Sequence, residues 1–200
     1  MSLRGVLFDF DGTLTKPGSI DFVKIKTAIG CPPDSQVLEF LEAEPPDSRA
    51  GLMNILEQME MIGAEASIPN LGAEKCLSAL RSKDIPFGII TRNSLNSVEK
   101  ALLKFDSVTL LDFRSVITRD SSLPKPKPHG VYNAARNMGL NTSDLLVVGD
   151  FRFDIIAGHA AGAVTALLTN GAESVLHPDD PKPDYIIDRL DEILDLPGFV

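Results

Sequence analysis

Residues 5–15 read "GVLFDFDGTLT". The run "GVLFDF" (5–10) is too short for a helix and reads as a strand buried on both faces. Asp9 and Asp11 stand one residue apart at its exit, followed by Gly12 and Thr13. Two like charges that close repel, so the fold must either offset them or use them. Gly12 permits a sharp turn at that point.

The same strand signal recurs along the chain. "IPFGIIT" (85–91), "SVIT" (115–118), "DLLVVGD" (144–150), "AVTALLT" (163–169) and "DYIID" (184–188) are short apolar runs. Amphipathic helical patterns alternate with them. Leu77 and Leu80 fall on one face of a helix over 73–82; Leu95, Val98, Leu102 and Phe105 mark another. Val131, Ala135 and Met138 mark a third, and 152–161 is Ala-rich and helical. Strands alternating with helices predict an α/β fold, with helices on both faces of a parallel, Rossmann-like sheet in three layers.

Between Lys16 and Pro69 the rhythm breaks. Three helices are expected near 20–29, 34–43 and 47–65, separated by the proline turns "GCPPD" and "EPPD". In the last of them Leu52, Ile55, Leu56, Met59 and Ile62 form one stripe, read as core. The domain reading is a core of residues 1–15 and 70–200 with a small helical cap, 16–69, inserted after the first strand.

Bulk properties narrow the partners. The 200 residues carry a net charge of −9, and 44% are hydrophobic. An acidic surface argues against nucleic acid or an anionic membrane as the main partner. No apolar run approaches a membrane span. Cys31 and Cys76 have no metal-ligand spacing and read as reduced thiols. A cytoplasmic location is expected, as a monomer or weak homodimer.

In a parallel sheet, ligands bind beyond the carboxyl ends of the strands. Each strong strand here ends in a polar candidate: Asp9 and Asp11, then Thr91, then Lys125 in "PKPKP", then Asp150 with Asp154 four residues on in "GDFRFD". Each has an ordinary reading by itself. "DxDG" occurs in turns and calcium loops, Thr91 could cap a helix, Lys125 could be a solvated loop lysine, and "GDxxxD" could be a strand end with a helix cap. Their joint occurrence at strand ends carries the weight. Several carboxylates around one point suit a hard cation, Mg²⁺. A hydroxyl and an ammonium beside it suit a phosphoryl group.

These residues resemble the haloacid dehalogenase superfamily of hydrolases. "DFDGTLT", "IITRN", "KPKP" and "VVGDFRFD" are similar to its four motifs, in order. The helical insertion resembles a small C1-type cap, and the chain looks like the phosphoglycolate phosphatase-like subgroup. The resemblance implies Asp9 as nucleophile and Asp11 as general acid and base. It implies phosphate contacts from Thr91, Arg92, Asn93 and Lys125, with Arg92 at the mouth of the pocket. It implies Mg²⁺ on Asp9, Asp150 and the backbone of Asp11, with Asp154 acting through water or orienting Lys125. Lys127 is the other register of "KPKP". The implied activity is a phosphatase of a small phosphorylated metabolite, phosphoglycolate or sugar-phosphate-like. A phosphomutase and a receiver-like phospho-acceptor are the alternatives.

Overall fold

The computed structural model describes residues 2–173 and 175–199. Six parallel strands form one sheet: β1 (Gly5–Phe8), β2 (Phe87–Ile90), β3 (Ser115–Ile117), β4 (Leu145–Gly149), β5 (Val164–Leu168) and β6 (Tyr185–Ile187). Their order is β3-β2-β1-β4-β5-β6, with β1 central between β2 and β4. The chain starts in the middle, works outward to β3, then returns across β1 to build the other half. The order reverses at β1, so the loops after β1 and β4 splay apart there and open a crevice.

Alternation along each strand builds the two outer layers. Val6 and Phe8 of β1, with Leu146 and Val148 of β4, face α4 (Ala73–Ser82) and α5 (Leu95–Leu102). Leu7, Leu145 and Val147 face α6 (His129–Met138) and α7 (Arg152–Ala161). Every residue of β1, β2, β4 and β5 is buried, as uninterrupted apolar runs require when helices cover both faces.

All six strands are shorter than the apolar runs predicted, because residues at their ends leave the ladder to serve as loops. The first ends at Phe8, two residues before the expected Phe10. Two apolar positions also differ from expectation. Leu95 is 39% exposed, so the inward stripe of α5 is Val98, Ala101 and Leu102. Ile62 is 70% exposed, while Leu52, Ile55, Leu56 and Met59 of the same expected stripe pack in an apolar cluster, and Glu60, Gly63 and Ala64 are buried beyond them.

Between β1 and α4 lie α1 (Phe22–Ile29), α2 (Val37–Ala43) and α3 (Pro46–Ala66). They carry their own apolar cluster, with Ile25, Ile29, Val37, Leu38, Leu41 and Leu56 at its centre. Asp21 caps α1 by accepting from Lys24 N, and Pro46 opens α3. The outgoing and returning segments lie side by side: Lys16 N donates to Ile68 O at 3.0 Å and Asn70 N to Leu14 O at 2.8 Å. Among the described residues no helix is long and apolar enough to cross a membrane.

Candidate active site

The loop after β1 is shaped by its neighbours. Gly12 has φ +80°, and a Cβ there would stand 2.1 Å from Asp150 Oδ2. The exit turn and the β4 carboxylate therefore share space that only glycine leaves open. Thr13 Oγ1 accepts from Asp150 N at 3.1 Å and donates to Asp150 Oδ1 at 3.3 Å. Asn70 Nδ2 donates to Thr13 O at 2.9 Å, and Asn170 Nδ2 to Gly12 O at 2.8 Å. Loops after β1, β4 and β5 are thus tied together around the first motif.

Lys125 lies at the centre. Its Nζ donates to Asp9 Oδ1 and to Asp154 Oδ1, each at 2.5 Å, and the lysine is 3% exposed. Lys127, two residues further along the same loop, is exposed, so burial separates the two registers of "KPKP". Asp154 Oδ2 also accepts from Phe151 N at 3.1 Å, so both its oxygens are engaged. A Cβ on Gly149 would stand 2.0 Å from the Asp154 carboxyl carbon, which lets that carboxylate lie against the strand.

Thr91 is buried, and its Oγ1 accepts from Asn93 N at 3.1 Å. Asn93 Nδ2 donates to Asp11 Oδ2 at 2.5 Å. Arg92 lines the same cavity but is engaged by other partners. Its guanidinium forms a bidentate pair with Glu39 of α2, at 3.0 and 2.6 Å, donates to Lys125 O, and stacks 5.0 Å from the Phe153 ring centroid. Asp9, Asp11, Thr91, Asn93, Lys125, Asp150 and Asp154 all line one cavity of about 360 Å³, at the small end of ligand sites.

Electrostatics follow from that crowding. Burial, then the charges of Asp9, Glu60 and Asp150, hold the Asp11 carboxyl well above its ordinary range. Asp150 is pushed up to about 8 by burial and by Asp9 and Asp154. Burial pushes Asp154 up to about 6, against the opposing pull of Lys125. Burial disfavours the Lys125 ammonium, yet Asp154 and Asp9 outweigh it and raise its proton affinity. One ammonium does not neutralise this many carboxylates.

Asp9, Asp150 and Asp154 bring carboxylate oxygens within 4.8 Å of one another. An all-oxygen set with uncompensated negative charge fits a divalent hard cation. Because Lys125 and Phe151 N already occupy Asp154, the freer donors are Asp9 and Asp150.

A family model described as haloacid dehalogenase-like hydrolase matches residues 3–162. The chain belongs to the haloacid dehalogenase-like hydrolases. A haloacid dehalogenase-like hydrolase domain-containing protein of Arabidopsis thaliana is 30% identical over 97% of this chain and 83% of its own length. A phosphoglycolate phosphatase of Neisseria meningitidis is 39% identical over 60% of this chain and 52% of its own length. The crystal structure of a hydrolase from Pseudomonas syringae superposes with TM-score 0.80 at 19% identity, covering 96% of each chain, a likeness of fold. Proteins similar to this chain include ones named phosphoglycolate phosphatase, N-acetylmuramic acid 6-phosphate phosphatase and pyrophosphatase PpaX.

Several residues around the site escaped the sequence reading. Asn170 follows β5 at the same sheet edge as the four motifs, so its position was a usable signal. Glu60 was the one acid on the inward face of α3, four residues after Leu56. Its Oε1 accepts from Arg119 Nη1 at 2.5 Å and its Oε2 from Ser94 N at 3.5 Å. Nothing in the sequence pairs Glu60 with Arg119, or Glu39 with Arg92, because the partners lie on different elements.

Proposed function

We propose that the protein is a Mg²⁺-dependent phosphatase of small phosphomonoesters, working through an aspartyl-phosphate on Asp9. The observation that supports it most is Lys125 Nζ held between Asp9 and Asp154, each at 2.5 Å, at the carboxyl edge of the sheet. A lysine so placed restrains the nucleophile and neutralises part of the charge that builds on a phosphoryl group.

In the first half-reaction an Asp9 carboxylate oxygen attacks phosphorus. The bond to the leaving oxygen breaks, and that oxygen takes a proton from Asp11. In the second, Asp11 takes a proton from water as the water attacks phosphorus; the acyl-phosphate bond breaks and Asp9 is restored. The raised proton affinity of Asp11 suits a group that must hold a proton near neutral pH before giving it up. Thr91, Asn93 and Lys125 orient the phosphoryl oxygens. Asp9, Asp150 and the Asp11 carbonyl would hold Mg²⁺, with Asp154 acting through water or by orienting Lys125; the ion would supply positive charge to offset carboxylates and phosphoryl group together. Residues 16–69 act as a cap over the leaving group.

Asp9→Asn removes the nucleophile and should lower phosphate release from an aryl phosphate by about 10³-fold or more. Undiminished turnover in that variant would sink the mechanism. Release of free phosphate without a bisphosphate activator separates this reaction from that of a mutase.

A further inference from the structure

The loop that carries Thr91 and Asn93 is gripped at three successive residues by groups from other elements. Arg119, two residues beyond β3, donates from Nη1 to Arg92 O at 3.3 Å and from its backbone N to Asn93 O at 3.2 Å. Glu60 of α3 accepts from Ser94 N through Oε2 at 3.5 Å and from Arg119 Nη1 through Oε1 at 2.5 Å. The two side chains, Arg119 and Glu60, are 5% and 4% exposed. Glu60 lines the cavity and Arg119 does not, so the guanidinium meets the loop rather than a ligand. Asn93, at the centre of this grip, carries the bond to Asp11, and its N–H holds the Thr91 hydroxyl.

Stability alone is a poor account of this pair. Arg119 Nε and Nη2 are buried and have no hydrogen-bond partner. Glu57 at 3.6 Å and Asp120 at 3.9 Å compensate its charge without bonding it. A buried ion pair with donors left over is commonly matched or bettered by apolar side chains of similar volume. What an apolar pair lacks is the hold on Arg92 O and Ser94 N. We propose that Arg119 and Glu60 are positioning residues for the phosphate-binding loop, and that Glu60 makes the geometry of that loop depend on how α3 is seated. The inference rests on the phosphatase reading above and extends it from the residues that touch the phosphoryl group to the pair that sets their places.

The test removes both charges together. In Glu60→Leu combined with Arg119→Met, the midpoint of chemical denaturation should be kept or raised. Inorganic phosphate, titrated calorimetrically with Mg²⁺, should bind about tenfold more weakly. The kcat/KM for phenyl phosphate and for 2-naphthyl phosphate should fall by about tenfold or more, and by the same factor, because the loop meets the part that the two esters share. Glu60→Gln keeps an acceptor for Arg119 and should hold phosphate affinity within about threefold of the unaltered protein. Glu60→Ala leaves the guanidinium beside Glu57 and Asp120 and should lose about tenfold, as the double variant does. These single variants decide the question if the double variant does not fold. A folded double variant with unchanged phosphate affinity overturns the inference. So does a loss confined to the naphthyl ester, which a leaving-group contact or a loosened cap would give. Phosphate affinity needs no turnover. Absent hydrolysis of both esters by the unaltered protein therefore counts against the phosphatase reading, while the affinities of the variants still decide the inference.

Discussion

The sheet edge and the helical segment above it are built on opposite plans. At the edge, Asp9, Lys125, Asp154 and Thr91 are all buried; Lys125 ties Asp9 to Asp154 across three loops, and Thr91 N donates to Ile117 O of β3. The segment α1–α3 has an apolar cluster of its own; the end of α3 packs along α5, with Ala64 in the core cluster, and ion pairs tether it further: Glu39 with Arg92, Glu60 with Arg119, and Glu65 with Lys100. The edge is thus over-determined, while the segment is tethered. The difference fits a division in which a reactive edge would need fixed geometry and the wall above it would be adjustable.

The largest effect should come from breaking the edge at its centre. Lys125→Met keeps the length and removes the charge, leaving buried carboxylates unpaired. At pH 8 it should cost about 3–5 kcal/mol in chemical denaturation and lower turnover by about 10³-fold. A comparable charge removal in the tethered segment, at Glu65, should cost under about 1 kcal/mol because that pair is exposed. Similar losses at both sites would erase the distinction.

A smaller effect tests the shape of the edge without altering its charge. Gly12→Ala puts a Cβ into Asp150 at a backbone of φ +80°. Stability should fall by about 1–3 kcal/mol and kcat/KM by about 10²-fold, measured side by side. Gly30→Ala makes a useful contrast: it also sits at positive φ, but a Cβ there meets nothing within 4 Å. Only the strain of the backbone should register, with turnover kept.

The smallest effect is on pH. In the metal-free protein the Asp150 carboxyl is raised to about 8, and Asp154 to about 6. Between the ordinary carboxylate range and these values the folded chain holds protons that the unfolded chain has released. Raising the pH through that window therefore favours unfolding. The Tm in EDTA should fall on the order of 5 °C from pH 5 to pH 8, and Mg²⁺ should restore more of it at pH 8 than at pH 5. A Tm that rises over the same window would mean that the carboxylates are better compensated than their crowding indicates.

Much of the edge was legible in the chain. The strands, α4 and α7 were visible because an apolar run bounded by polar turns has few other ways to be buried. The four motifs fell at strand ends, where topology alone brings loops together. Ile62 was misassigned because a stripe at helical spacing looks the same whether a partner covers it or water does. Glu60 was missed because a buried acid is tolerable only with a partner such as Arg119, and that partner is 59 residues away.

What the sequence determined by itself is local and periodic: which runs become strands, where they stop, and which carboxylates, hydroxyl and lysine stand at their ends. Gly12 and Gly149 belong to that set only as residue types; the carboxylates that need their missing Cβ atoms are revealed by the fold. The tertiary structure alone decided which lysine of "KPKP" is buried, that Asp154 lies on Lys125 with both oxygens engaged, and that Glu39 takes Arg92. Each of these is a contest between groups far apart in the chain. Its outcome depends on distance and burial in three dimensions, and neither quantity is written in spacing along one.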